Sequence, residues 1–224
     1  MICQKLFAPA CVAVVALVTF AGSLAIADPS KDSKAGGQRE MKLPPGWTAE
    51  DMQACILAGT PGKMHEHLAK GVGVWHGKTT MWMVPGGKPM KSDCTSTVTS
   101  IMDGRFMKCE MTGEMPGMGP YNGLGIYGFD NVSQQFVSAW IDNHGTGVMN
   151  GVGKLSPNGD TMTWKHAFNC PITKKPTVMR EVETITGPNT KTLEMFGAEP
   201  KSGKEFKMMS IERTRKESDA RAAK

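Results

Sequence analysis

From Val72 onward the chain is cut by turn residues about every ten positions, and no other feature constrains its fold as much. The breakers are Pro85-Gly86-Gly87, Asp103-Gly104, Pro116-Gly117, Asp130-Asn131, Asn143-His144-Gly145, Pro157-Asn158-Gly159, Pro171 to Pro176, Gly187-Pro188-Asn189 and Pro200 to Gly203. Between them lie runs at 72–84, 91–102, 105–115, 121–129, 135–142, 147–155, 161–169, 177–186, 191–196 and 205–215. The runs have strand length and the connections are too short for crossover helices, so the pattern specifies an antiparallel meander. A sheet of that many strands curls, and closing it removes its edges. The expected fold is all-β, a single up-and-down antiparallel ten-stranded barrel over residues 71–216,.

The segment before the barrel divides into three. Met1–Lys5 carries one positive charge, Val12–Phe20 is apolar, and Ala25-Ile26-Ala27 is a small-x-small site. This order predicts an export signal cleaved after Ala27, with the mature protein periplasmic or secreted; the apolar stretch is too short for a transmembrane segment. Residues 28–46 are polar and rich in Lys, Ser, Gly and Pro, which predicts a disordered linker,. Residues 47–70 hold two short helices. Thr48 and Asp51 form a capping box for the first, from about Ala49 to Ala58,. Thr60-Pro61 provides N-cap and first-turn proline for the second, Gly62–Lys70, which stops at Gly71,. Residues 217–224 read as a disordered charged tail. The formal charge of +5 is mild and its basic residues are scattered without aromatic interleaving, so nucleic acid is not an expected partner,.

Period-two alternation assigns faces within strands. In 161–170, Met162, Trp164, His166, Phe168 and Cys170 share one face and Thr161, Thr163, Lys165, Ala167 and Asn169 the other,. The first must point inward, which places His166 in an apolar lining. In 135–142 both faces are apolar. In 177–186, Val178, Arg180 and Val182 share one face and Met179, Glu181 and Glu183 the other, and alternation does not say which faces in.

Several segments together carry a resemblance. They are Gly73-Val74-Trp75 at the opening of the first strand, His65-x-x-Leu68 upstream, Gly104-Arg105-Phe106, Gly128-Phe129-Asp130, Trp140-Ile141-Asp142-Asn143-x-Gly145-Thr146-Gly147, Arg180-Glu181-Val182, Glu194-Met195-Phe196 and Glu212-Arg213-Thr214-Arg215. Over roughly Pro61 to Lys216 the chain resembles the bacterial family catalogued as domain of unknown function 1579. The resemblance implies a calycin/lipocalin-like barrel and no established reaction.

The candidate site is the barrel lining, with Trp75, Trp140, Asp142, Trp164, His166 and Arg180 as its expected residues. The leading function is non-enzymatic binding of a small apolar molecule; the alternative is a structural or interaction module whose barrel is filled by its own Met, Trp and Phe side chains. A third reading is haem or metal handling. A neutral imidazole at His166 can ligate iron, and Met111, Met115 and Met118 offer soft thioethers to Cu(I),. Against these stand a core histidine hydrogen-bonded to its neighbours and methionine as adaptable packing. His65 and His67 sit two apart on a helix and diverge. No C-x-x-C, Gly-x-Ser-x-Gly, His-Glu-x-x-His or phosphate loop occurs, so nothing positive supports an enzyme or a required cofactor,.

Cys55, Cys94, Cys109 and Cys170 remain after signal cleavage, and an even number in an exported chain predicts disulfides,. A two-residue Asp103-Gly104 hairpin sets Cys109 opposite Val98 and leaves Cys94 four residues further along, about 13 Å away. Cys94 and Cys109 are therefore not expected to bridge each other; any bridge must run to Cys55 or Cys170.

Overall fold

The computed structural model describes residues 43–216. The export signal, most of the linker and the charged tail expected from the sequence lie outside the described residues. The chain divides at Leu57/Ala58 into two units. Helix α1 (Ala49–Gly59) begins in the first, at the expected capping box, and runs just past the boundary. The Asp51 carboxylate accepts from the Thr48 amide at 2.8 Å, and the Thr48 hydroxyl accepts from the Asp51 amide at 3.1 Å.

The second unit is the barrel with helix α2 (Lys63–Ala69) at its entry. Ten strands follow: β1 Gly73–Met81, β2 Met90–Ile101, β3 Phe106–Met115, β4 Gly119–Asp130, β5 Gln135–Asp142, β6 Met149–Leu155, β7 Thr161–Asn169, β8 Pro176–Gly187, β9 Thr190–Ala198 and β10 Glu205–Arg215. Each pairs antiparallel with its sequence neighbour, and β1 pairs with β10 to close the barrel. The punctuation of Gly, Pro, Asn and Asp thus marks the true strand ends to within one to three residues. No helix among the described residues is long and apolar enough to cross a membrane, a statement that does not extend to strands.

Local chemistry explains the details. At the β2–β3 hairpin Asp103 and Gly104 take φ of 54° and 83°, the left-handed pair that a type I′ turn demands,. The register follows: Val98 faces Cys109 and Cys94 faces Gly113. The second helix starts later than its Thr60-Pro61 signal suggests. Gly62, which has no side chain to cap the first turn, is the N-cap, and its amide donates to the imidazole Nδ1 of His65 at 3.0 Å, the half of a capping box that the third helical residue supplies,.

Helix α2 closes one end of the barrel. Met64 and Leu68 pack against Phe136, Met162 and Trp164, while His65 meets Phe129 edge-on and His67 meets Phe136. The Arg215 guanidinium donates to the carbonyls of Lys70 and Val72, and Asn131 donates to those of Ala58 and Thr60, tying the helix and its lead-in to the strand ends. The loops after β1, β3, β5, β7 and β9 form the opposite end, the mouth.

The disulfide expectation does not hold: Cys94, Cys109 and Cys170 are free thiols. Cys94 and Cys109 are buried on the inner face, and the ladder separates them as the register required. Burial pushes the Cys109 thiol above its ordinary range, and Cys94 Sγ accepts from the Thr79 hydroxyl at 3.6 Å. Cys170, at the mouth, is lowered by its contact with the Thr173 hydroxyl. Pulsed alkylation of native protein is therefore expected to label Cys170 rapidly and Cys94 and Cys109, which are enclosed in the barrel, far more slowly,. Equal labelling of all three within one pulse would contradict the assigned faces.

Candidate functional site: the barrel cavity

Cross-strand partners share a face of the sheet, so one well-assigned strand orients the rest. Strand β7 is that strand: Met162, Trp164 and His166 are buried, as their alternation required. Their partners on β8 are Glu183, Glu181 and Met179, which therefore also point inward. The next partners are Leu193 and Met195 on β9, then Ile211 and Met209 on β10. Strand β8 thus turns its two-glutamate face into the barrel and leaves Val178 outside, against the usual preference.

Arg180 is corrected by the same logic. It lies on the outer face, bidentate to Glu205 at 3.1 and 2.7 Å and over the Phe196 ring at 3.9 Å. It lines no part of the cavity. Trp75, Trp140, Asp142, Trp164 and His166 all do.

The interior is hollow. Cavity and mouth together enclose about 1710 Å³, above the roughly 300–1,000 Å³ of an ordinary ligand pocket. Two features create the space for large rings. Gly123 and Gly125 lie on the inner face beneath Trp140, where a Cβ at Gly123 would collide with the indole. Gly151 and Gly153 play the same part for His166 and Trp164, and a Cβ at Gly151 would stand 2.6 Å from His166 Nδ1. A Cβ at Gly151 would also collide with Ser138 Oγ, so Gly151→Ala is expected to cost about 1–3 kcal/mol through this overpacking; a thermal midpoint equal to wild type would show that Ser138 and His166 have room to move.

Charged groups collect toward the α2 end. The Glu183 carboxylate is shared by Lys191 Nζ at 3.1 Å and Arg213 Nη1 at 3.3 Å. Burial pushes the Glu183 carboxyl up, but Lys191 and then Arg213 outweigh it and hold it below its usual value. Lys191 also lies over the Trp75 ring at 4.5 Å, with Arg215 at 4.2 Å from the same ring. Tyr127 and Cys109 complete this region: Tyr127 is driven well above its usual value, chiefly by burial and then by the Glu181 charge. Nearer the mouth, Tyr121 bridges Trp140 Nε1 at 3.2 Å and Asp142 at 3.5 Å.

His166 is 2% exposed and is not the hydrogen-bonded core histidine that the plainer reading anticipates. It stacks on Trp164 at 6.0 Å and 21°. Its Nε2 stands 3.4 Å from Glu181 Oε2 without the alignment of a hydrogen bond, and Nδ1 has no partner. Both nitrogens are enclosed by protein, so the ring as placed offers neither to an iron in the cavity, and haem ligation does not fit. The thioether set does not assemble either. Met111 is buried within β3, Met115 ends that strand about 13 Å away at strand rise, and Met118 is 57% exposed in the following turn. Among the described residues no cluster of three or more His, Cys, Asp and Glu could hold a metal.

A closed, hollow, ten-stranded antiparallel barrel plugged at one end by a short helix defines a calycin-like barrel. The chain belongs to the family described as protein of unknown function, DUF1579, whose model matches residues 60–215. No curated protein matches. Among solved structures it is similar to Rv2717c from M. tuberculosis, with 13% identity, TM-score 0.52, and coverage of 70% of this chain and 99% of that one. It is also similar to the S-type phycobiliprotein lyase CPES from Guillardia theta, with 8% identity, TM-score 0.50, and coverage of 72% and 96%. At these identities the likeness is one of fold.

The sequence did not single out Glu181, Glu183, Lys191 and Arg213 as a group. Their types were visible, but their convergence comes from strands that meet only on closure.

Proposed function

We propose that the barrel binds a small, mostly apolar molecule in its cavity and performs no chemistry on it. The observation that carries this reading is the hollow interior, lined by Trp75, Trp140, Trp164, Met111, Met195 and Ile211 with a few convergent polar groups. Empty apolar volume on this scale is what a ligand fills, and a barrel packed solid by its own side chains would not retain it. The filled-barrel alternative is the weaker reading for that reason.

The test is titration with the uncharged fluorophore N-phenyl-1-naphthylamine, reading its emission and the quenching of tryptophan fluorescence. Saturable binding of one or two probes per chain supports the reading; no enhancement over a protein without a cavity overturns it. Export after cleavage at Ala27 is proposed alongside, from the charge, apolar core and Ala-x-Ala order of the first residues,. N-terminal sequencing of mature protein should begin at Asp28, and retained Met1 would refute it.

A further inference from the structure

Four charged side chains of the barrel interior, Glu181, Glu183, Lys191 and Arg213, do not pair evenly. Lys191 and Arg213 both contact Glu183, at 3.1 and 3.3 Å. Glu181 has neither within 4.0 Å; its one charged or titratable contact is the edge of His166 at 3.4 Å. Its side chain retains 10% exposure and lines the cavity. Neither ring nitrogen of His166 makes an aligned hydrogen bond to it. A buried carboxylate without a donor is among the costliest groups a protein can keep. Glu183, Lys191 and Arg213 each have an ion-pair partner, and Glu181 is the one of the four without a Lys or Arg contact.

Its surroundings suit a cation. The cross-strand partners of Glu181 are Trp164 and Met195. Tyr127 meets Trp164 edge-on at 5.5 Å. Ring faces and thioether sulfur are polarisable and attract a positive charge in a dry site, while a carboxylate beside them fixes its position. The excess positive charge around Glu183 does not serve an anionic ligand equally well, because both cations there already have a carboxylate.

We infer that the cavity ligand is an amphipathic cation, with an amine or similar N–H-bearing head held by Glu181 and an apolar body lying along the Trp and Met wall toward the mouth. This rests on the reading of the barrel as a ligand cavity.

The experiment compares dodecylamine, dodecanol and dodecanoate, three probes with one tail and three heads, as competitors of N-phenyl-1-naphthylamine on the full chain. All are used below their micelle concentrations at neutral pH. Dodecylamine is expected to bind about tenfold tighter than either of the others, and Glu181→Gln is expected to bring the amine and the alcohol to within about twofold. The wild-type ranking needs no variant, so a poorly folded Glu181→Gln protein does not leave the inference untested. Equal binding of the three, or preference for dodecanoate at Lys191 and Arg213, overturns the inference and leaves the cavity reading intact. An amine preference that survives in Glu181→Gln overturns the assignment to Glu181. Failure of all three together with N-phenyl-1-naphthylamine overturns the cavity reading itself.

Discussion

Replacing Trp164 by alanine is expected to lower the stability of the barrel by about 3 kcal/mol, the low end of the range for a large buried ring because the indole also lines the cavity,. Trp164 is 4% exposed and forms the centre of the cluster at the α2 end. Tyr127 lies against it at 5.5 Å, Phe136 at 6.4 Å and His166 at 6.0 Å. Removing the indole loses the transfer free energy of a large ring and opens a void that the surrounding strands cannot collapse into, since their spacing is set by the ladder. It also frees Leu68 and Met64, so helix α2 should loosen from the barrel end. Equilibrium urea unfolding measures this as a lower midpoint at unchanged slope. A midpoint that does not move would place the inner face of β7 on the outside and refute the orientation of every strand paired to it.

Glu183→Gln is expected to cost about 3 kcal/mol at neutral pH, the low end of the range for breaking a buried ion pair. The substitution leaves Lys191 and Arg213 facing each other across β9 and β10 without a counter-charge. The low end is appropriate because Glu183 keeps 26% of its side chain exposed to the cavity. The pH dependence has a definite sign. The folded state holds the Glu183 carboxyl below its ordinary value, so the unfolded chain takes up a proton first as the pH falls. The carboxylate's contribution is fully present above the unfolded value of about 4.3 and disappears as pH falls through the lower folded value. The gap in unfolding free energy between wild type and Glu183→Gln should therefore be constant from about pH 6 to 8 and narrow below about pH 4.3. A gap that widens on acidification would mean that Glu183 is not stabilised as a carboxylate.

Much of the architecture is legible without the structure. A type I′ turn needs two residues at positive φ, and Asp103-Gly104 is a pair that accepts it; that local fact alone sets the β2–β3 register and keeps Cys94 away from Cys109. The alternation of Met162, Trp164 and His166 identifies an inward face because three large side chains on one side of a strand have nowhere else to go. Turn residues mark strand ends because glycine, proline and asparagine act through their own backbone, whatever the rest of the chain does.

Other features were decided only by closure. Strand β8 offers Val178 and Val182 on one face and Glu181 and Glu183 on the other, and by hydrophobicity the valines belong inside. The six residues between β7 and β8 set a register that pairs Trp164 with Glu181, and a cross-strand partner cannot face the opposite way. The glutamates therefore enter the barrel, Arg180 is turned out to Glu205, and the valines remain on the surface. The same closure brings Lys191 and Arg213 to Glu183 but leaves Glu181 with an unaligned histidine. Local sequence determined the strands, their turns and one inward face; the pairing of charges inside the barrel depends on contacts between strands far apart along the chain, which no local pattern encodes.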